Sequence, residues 1–249
     1  MPLFGLIGYP LSHSFSKRYF SEKFERLGLK DHRYDLFELP DIRFFPDLWQ
    51  KHPDLKGLNV TIPHKQAVIP YLDALDETAR EVGAVNTIKK MPDGRLIGYN
   101  TDVRGFEQAL LRWLPLNYFH KQGFEALVLG TGGASKAVSY VLQQLQIPFW
   151  RVSREAAKTG LTYTDLSQKG WGNARLIINT TPLGMSPHTD STPPLPYHLL
   201  DTSFYLYDLV YNPPLSRFLE EGIVRGAKIQ NGLEMLYLQA EAAWDIWST

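Results

Sequence analysis

Residues Glu125 to Leu145 have the sequence EALVLGTGGASKAVSYVLQQL, in which a short apolar run is followed by glycines and then by apolar residues at helical spacing. The order strand, glycine turn, helix is typical of a unit that binds a dinucleotide. In such a unit Gly130 permits the tight turn, and Gly132 lets the backbone approach a pyrophosphate at the helix N-terminus. Ser135 takes the third position of the G-x-G-x-x-G pattern and is small enough for close packing of helix on strand. The alternative is a tight turn that binds nothing.

The composition excludes several classes of protein. The 249 residues suit one large domain or two small ones, and 26 basic residues balance 26 acidic ones, so neither nucleic acid nor an anionic membrane is expected as a partner. The absence of cysteine excludes disulfides and thiolate chemistry, and no histidine pair has metal-ligand spacing, so no metal site is expected. The first residues lack the pattern of a signal peptide, and no apolar run is long enough to span a bilayer. We therefore expect a cytoplasmic protein.

The first polar cluster follows a predicted strand from Leu3 to Ile7. The loop LSHSFS contains three hydroxyl groups and one imidazole within five residues, namely Ser12, His13, Ser14 and Ser16. Ser16 can cap the helix that follows. Capping requires only one hydroxyl, so a site for a polar small molecule is the alternative.

A second polar cluster lies at the end of the strand predicted from Leu55 to Thr61. Asn59, Thr61 and Lys65 come together at the carboxyl end of this strand, where open α/β sheets bind ligands. His64 and Lys65 are predicted to open a helix, and the helix dipole disfavours a cation at that end. Lys65 is therefore either a solvated charge or a residue placed there for function.

Two more polar residues are associated with a hairpin predicted from Ala84 to Tyr99. Asn86 lies on its first arm, and Asp102 follows its second arm at the start of a helix that extends to about Trp113. Considered alone, Asp102 most simply complements the N-terminus of that helix.

The residues after the next predicted strand, Ile147 to Val152, bear on the choice of cofactor. An acid at this position suits the ribose of NAD, whereas an arginine suits the 2′-phosphate of NADP. The chain has Ser153, Arg154 and Glu155 there, with Lys158 one turn later, which favours NADP. The alternative is a solvated basic surface turn. Later strands are predicted at Arg175 to Asn179, Leu206 to Tyr211 and Ala227 to Gln230, and a last helix at Glu234 to Trp247.

The chain resembles the shikimate dehydrogenase family in motifs that occur in the same order over nearly its whole length. These motifs are SHSFS, NVTIPHK, GAVNT, NTD, GTGGAS, NTTPLGM, DLVYNP and NGLEMLYLQ. The resemblance implies an α/β substrate-binding and catalytic domain at residues 1–102 and a Rossmann-type NADP-binding domain at residues 103–232. It also implies that a C-terminal helix, residues 233–249, packs back on the first domain. The implied reaction is the reversible NADPH-dependent reduction of 3-dehydroshikimate to shikimate in aromatic amino acid biosynthesis.

The resemblance also implies roles for individual residues. The substrate carboxylate would contact Ser14 and Ser16, and the ring hydroxyls would contact Asn59, Thr61, Asn86, Asp102 and Gln239. The catalytic pair would be Lys65 and Asp102. The implied NADP-binding residues are Gly130, Gly132, Gly133, Ala134, Ser153, Arg154, Lys158, Thr180, Gly232 and Met235, of which the last two would line the substrate–nicotinamide side together with Tyr211.

The residue types agree with this chemistry. Reduction of a ketone by hydride requires a proton donor or a positive charge at the developing alkoxide, and Lys65 can be either. Two alternatives are left open, namely a quinate/shikimate dehydrogenase that uses NAD and a non-catalytic regulatory protein that binds a dinucleotide. The expected partner is a small-molecule substrate, and the chain is expected to be a monomer or a homodimer.

Overall fold

The computed structural model describes residues 1–11 and 14–249, and the chain divides into two units, each with its own sheet. One unit consists of Met1–Thr101 with Ala240–Thr249, and the other of Asp102–Gln239. This division differs from the predicted boundaries at two points. Asp102 belongs to the second unit, and so does the first part of the C-terminal helix.

The first unit contains a six-stranded mixed sheet with helices. The strands are β1 (Leu3–Gly8), β2 (Arg33–Glu38), β3 (Leu55–Val60), β4 (Ala74–Leu75), β5 (Thr87–Lys90) and β6 (Leu96–Tyr99), and the helices are α1 (Phe15–Arg26), α2 (Phe45–Lys51) and α3 (Glu77–Val82), with short 3-10 helices at Ile42–Phe44 and Ile69–Tyr71. The strand order is β2-β1-β3-β5-β6-β4. β1 pairs in parallel with β2 and β3, while β5 is antiparallel to both its neighbours. The carboxyl ends of β1, β2 and β3 therefore lie at one edge of the sheet.

The two faces of this sheet have separate apolar cores. Leu3 and Ile7 of β1 face one core, and Phe4 and Leu6 face the other. The second of these cores includes α1 and the C-terminal residues, where the indole nitrogen of Trp247 donates to the carbonyl oxygen of Ile88 at 3.0 Å. The C-terminal segment is therefore an integral part of the first unit.

Two predictions of local structure in this unit are wrong. Ser14, and not Ser16, is the N-cap residue of α1, which places Ser16 in the first turn. No α-helix begins at His64, because the segment from Thr61 folds into turns in which the backbone N–H of His64 donates to Thr61 and that of Val68 to His64. Pro63 and Pro70 lack the backbone donors that a continuous helix needs.

The second unit is built on a parallel sheet. Its elements are α4 (Thr101–Trp113), α5 (Leu116–Lys121), β7 (Glu125–Leu129), α6 (Gly133–Gln144), β8 (Phe149–Ser153), α7 (Ala156–Thr159), β9 (Leu161–Thr162), α8 (Tyr163–Lys169), β10 (Ala174–Asn179), β11 (Tyr205–Asp208), α9 (Arg217–Val224), β12 (Lys228–Gln230) and α10 (Leu233–Ser248), with a 3-10 helix at Tyr197–Leu199. All five strand pairs are parallel, in the order β12-β11-β10-β7-β8-β9. Numbered within the unit, this is the 3-2-1-4-5-6 order of doubly wound nucleotide-binding folds. The predicted α/β class with a Rossmann-type domain is confirmed.

β7 lies at the centre of this sheet and is buried on both faces. Ala126 and Val128 contribute to the core that includes α6, and Leu127 and Leu129 to the core that includes α8 and α9. Burial on both faces explains why β7 is a continuous apolar run without alternation. One predicted strand end is wrong, since β11 ends at Asp208 and not at Tyr211. The sequence analysis did not predict helices α5, α7, α8 and α9. Among the described residues, no helix is long and apolar enough to cross a membrane.

Asp208 joins the ends of β10 and β11 through a buried carboxylate. Its two oxygens accept from the Asn179 amide at 2.9 Å, from the backbone N–H of Val210 at 3.0 Å and from the Ser216 hydroxyl. Burial raises the pKa of Asp208 to about 6, although these hydrogen bonds oppose the shift. The ionised carboxylate is therefore less favourable in the folded chain than in the unfolded chain.

We predict that Asp208 makes the protein less stable as the pH rises. Below the unfolded pKa of 3.8 the carboxyl is protonated in both states, and above the folded pKa of about 6 it is ionised in both. Relative to Asp208→Asn, which does not titrate, the wild type should lose about 3 kcal/mol of unfolding free energy across this window. Urea unfolding of both proteins between pH 4 and pH 7 measures this difference, and a difference that stays constant with pH would contradict the prediction.

Candidate active site

The first polar cluster lies where β1 leads into α1. Ser14 is the N-cap of this 12-residue helix, but its side chain makes no capping hydrogen bond. Within residues 1–11 and 14–249, no group hydrogen-bonds the buried Ser14 hydroxyl oxygen. A buried hydroxyl at a helix N-terminus is suited to an anionic ligand, because the helix dipole favours negative charge there. Ser12 and His13, named with this cluster, lie outside the described residues.

Asn59 is hydrogen-bonded to a residue that the sequence did not indicate, Tyr34 on β2. The Tyr34 phenol donates to Oδ1 of Asn59 at 2.8 Å. Tyr34 is 2% exposed, and its burial raises the pKa of the phenol. Ser16 is half-buried in the first turn of α1.

Asn86 extends this buried polar network to the start of α4. Its Oδ1 accepts from the backbone N–H of Thr101 at 2.7 Å, and its Nδ2 donates to the Thr101 hydroxyl at 2.9 Å. Thr87, which is fully buried, donates to the same Oδ1 at 3.2 Å and accepts from Nδ2 of Asn59 at 3.2 Å. Thr87 and Thr101 were missed because their contacts join residues far apart in the sequence.

Thr61 and Lys65 lie in the turn that replaces the predicted helix. The backbone N–H of Thr61 donates to Ile7 at 2.9 Å, and the carbonyl of Lys65 accepts from Val85 at 2.7 Å. The buried His64 between them donates from Nε2 to the carbonyl of Leu39 at 2.5 Å. These contacts fix the backbone of the turn while the Lys65 side chain stays partly exposed. The argument that Lys65 opposes a helix dipole does not apply.

Three of the predicted substrate residues belong to the second unit. Asp102 is 5% exposed in the first turn of α4, and Gln239 donates to the carbonyl of Leu236 at 2.9 Å within α10. Tyr211 follows β11, and burial raises the pKa of its phenol. The pairing of Lys65 with Asp102 stays a prediction.

The glycine turn lies at the point where the strand order of the second sheet reverses. Gly130 has φ +114°, and a Cβ built there would lie 2.8 Å from the Thr180 hydroxyl and 3.1 Å from Thr181. Ser135, fully buried, donates to the carbonyl of Gly130 at 2.8 Å. Ser135 thus lets α6 approach β7 as predicted.

Gly132 differs from Gly130 in having open space around it. It has φ −78° and ψ −174°, and apart from its two chain neighbours no described residue has an atom within 4 Å of a Cβ built there. Gly133 and Ala134 follow in the first turn of α6, where backbone N–H groups have no partner within the helix. These residues therefore fit the phosphates of a dinucleotide.

The turn after β8 contains the residues expected to choose the cofactor. Ser153 is 8% exposed, and its hydroxyl donates to the carbonyl of Glu155 at 2.7 Å, which fixes the turn. Arg154 is exposed. Lys158 forms an ion pair with Glu155 at 2.8 Å, and this hydrogen bond lowers the pKa of the Glu155 carboxyl. Any phosphate that binds Lys158 must compete with Glu155.

The other predicted cofactor residues lie around the ends of β10, β11 and β12. The Thr180 hydroxyl donates to the carbonyl of Leu129 at 2.6 Å. Gly232 lies so close to Leu209 that a Cβ would be 2.1 Å from its carbonyl oxygen. Met235 is 7% exposed in the core that includes α6. Nowhere in the described part of the chain do three His, Asp or Glu side chains form a group that could hold a metal ion.

The strand order and the glycine turn define an α/β protein with a Rossmann-type unit. Residues 6–88 match the family model described as the shikimate dehydrogenase substrate binding domain. The chain is 35% identical to the shikimate dehydrogenase (NADP(+)) of Desulforamulus reducens, in an alignment that covers 98% of this chain and 89% of that protein. The chain belongs to the shikimate dehydrogenase family.

Solved structures agree with this assignment. The shikimate 5-dehydrogenase of Thermus thermophilus, determined in complex with NADP(H) and shikimate, matches with a TM-score of 0.81 and 32% identity over 100% of this chain and 94% of that one. The enzyme of Listeria monocytogenes, in complex with shikimate and NAD, matches with a TM-score of 0.79 and 30% identity over 100% of this chain and 92% of that one. Relatives with this fold thus include complexes with either cofactor.

We predict that alanine destabilises the protein at Gly130 more than at Gly132. Gly130→Ala should lower the unfolding free energy by about 1–3 kcal/mol, because the positive φ and the contact with Thr180 both disfavour a Cβ. Gly132→Ala should change it by no more than about 1 kcal/mol, because its φ is negative and its surroundings are open. Urea unfolding compares the two, and equal losses would contradict this account of the turn.

Proposed function

We propose that this protein catalyses the reversible NADPH-dependent reduction of 3-dehydroshikimate to shikimate. Membership of the family supports this proposal, and the observation that carries it is the buried polar network of Tyr34, Asn59, Thr87 and Asn86, together with the buried Ser14 hydroxyl, which makes no hydrogen bond to any described residue. A substrate with one carboxylate and several hydroxyl groups is complementary to such a set, because each buried polar group needs a partner.

The residues would divide the reaction between them. NADPH supplies a hydride to the carbonyl carbon when it is bound. As the carbonyl oxygen becomes an alkoxide, Lys65 would either donate a proton to it or stabilise it by its positive charge. Asp102 would hold the ammonium group of Lys65 in place. Ser14 and Ser16 would bind the carboxylate, and Asn59, Thr61, Asn86 and Gln239 the ring hydroxyls.

The direct test is an absorbance assay with four combinations of substrate and cofactor. We expect shikimate with NADP to give the highest kcat/KM, and quinate to react more slowly because its additional hydroxyl lacks a partner, which costs roughly 1–3 kcal/mol. Equal kcat/KM for both acids would favour the quinate/shikimate alternative. No activity in any combination would favour the non-catalytic regulatory protein.

Replacement of Lys65 tests the catalytic assignment. Lys65→Ala should lower kcat by roughly 10²–10⁴, the range for loss of one acid–base group, and should change the shikimate KM much less. Lys56→Ala is the matched control, since Lys56 is an exposed lysine on β3 of the same unit. A Lys65→Ala variant with the kcat of the wild type would contradict the role of Lys65.

Replacement of Arg154 tests the preference for NADP. Charge-assisted hydrogen bonds to a 2′-phosphate contribute roughly 1.5–3 kcal/mol each, so Arg154→Ala should raise the NADP KM by one to two powers of ten and leave the NAD KM almost unchanged. Lys169→Ala makes the same change of charge at an exposed ion pair elsewhere in the unit and is the control. Glu155→Gln should lower the NADP KM because it releases Lys158. Equal losses for NADP and NAD in Arg154→Ala would mean that this arginine is only structural.

The proposal extends to partners and location. The partners would be the small-molecule substrate and cofactor, without nucleic acid or a membrane. The protein would act in the cytoplasm as a monomer or a homodimer.

A further inference from the structure

Tyr34 is too deeply buried to contact a ligand, yet it hydrogen-bonds Asn59, which is predicted to do so. Its side chain is 2% exposed and stacks on Phe20 with ring centroids 4.6 Å apart and planes 11° apart. The hydroxyl donates to Oδ1 of Asn59 at 2.8 Å. The stacked ring holds this hydroxyl at a fixed position between α1 and β3.

Thr87 engages Asn59 from the opposite side. Nδ2 of Asn59 donates to the Thr87 hydroxyl at 3.2 Å and to the carbonyl of Asn86 at 3.3 Å. The Thr87 hydroxyl in turn donates to Oδ1 of Asn86 at 3.2 Å. Both amide hydrogens of Asn59 are thus used inside the protein, and Tyr34 takes one of the two acceptor positions of Oδ1.

We propose that Tyr34 and Thr87 are positioning residues, which orient Asn59 and Asn86 for the substrate. This inference rests on the proposed function, because it assumes that these two residues bind the substrate. With its amide hydrogens occupied, Asn59 offers a ligand one oxygen lone pair and therefore recognises a hydroxyl group as an acceptor. A carbonyl at that position would find no donor on Asn59, which makes this amide a determinant of specificity.

The test removes each hydroxyl while keeping the shape of its side chain. Tyr34→Phe and Thr87→Val should each raise the shikimate KM by about 5- to 30-fold, change kcat less than threefold and leave the NADP KM unaltered. Tyr197→Phe is the matched control. The half-buried Tyr197 lies in the second unit, and its hydroxyl donates to the carbonyl of Pro193 at 2.8 Å. The shikimate KM of Tyr197→Phe should equal that of the wild type.

A double-mutant cycle separates positioning from general stabilisation. In an Asn59→Ala background, Tyr34→Phe should raise the KM by a smaller factor than in the wild type, because the contact through which it acts is already gone. Thermal unfolding of every variant identifies those that fold. If Tyr34→Phe does not fold, Thr87→Val carries the test on its own.

The outcomes distinguish this inference from the proposed function. A folded Tyr34→Phe or Thr87→Val with the shikimate KM of the wild type overturns the inference, and so do additive effects of Tyr34→Phe and Asn59→Ala. A wild type that does not oxidise shikimate overturns the proposed function, and the inference fails with it. A wild type that oxidises shikimate beside variants with unaltered KM overturns the inference alone.

Discussion

The second unit depends on the close approach of two turns, the one after β7 and the one after β10. Thr180 donates its hydroxyl to the carbonyl of Leu129, and the next residue, Gly130, has no room for a Cβ against Thr180. Ser135 then donates back to Gly130 from the first turn of α6. These contacts fix the N-terminus of α6 at the carboxyl edge of the sheet, at its topological switch point. The position of the anion-binding end of the helix thus follows from the packing of one glycine.

In the first unit, neutral hydrogen-bonding groups orient the buried polar side chains. Asn59 and Asn86 are buried amides whose hydrogen-bonding groups are tied to Tyr34, Thr87 and Thr101. Networks of this kind gain strength from low dielectric surroundings and are costly when one member is left unsatisfied. If the ring binds Asn59 and Asn86 as proposed, specificity for its hydroxyl groups depends on residues that the ring does not contact.

The sequence predicts those features that are local. The strand, the glycine turn and the helix from Glu125 to Gln144 follow from apolar spacing and glycine positions, and the structure confirms them together with the small residue Ser135. The predicted helix at His64 is wrong, because long-range backbone contacts such as that between Lys65 and Val85 hold the segment as turns.

Features that depend on distant residues were not accessible from the sequence. The order of β2 and β3 on either side of β1 is what places Tyr34 next to Asn59, and no spacing in the sequence indicates that contact. The only local signal was that a buried tyrosine hydroxyl needs a partner. The ion pair between Lys158 and Glu155 was also not predicted, because the sequence shows only that both charged residues lie on one turn.

The central claim is that the space beside Gly132 accommodates the pyrophosphate of the cofactor. The most direct measurement is the thermal unfolding of the wild type and of Gly132→Ala with and without saturating NADPH. A ligand that binds only the folded state raises its stability by about 2.7 kcal/mol at 100 times its Kd, so NADPH should raise the Tm of the wild type by several degrees. The same concentration should leave the Tm of Gly132→Ala nearly unchanged, because the added methyl group occupies the position of the phosphate. An equal rise of Tm in both proteins would contradict the account.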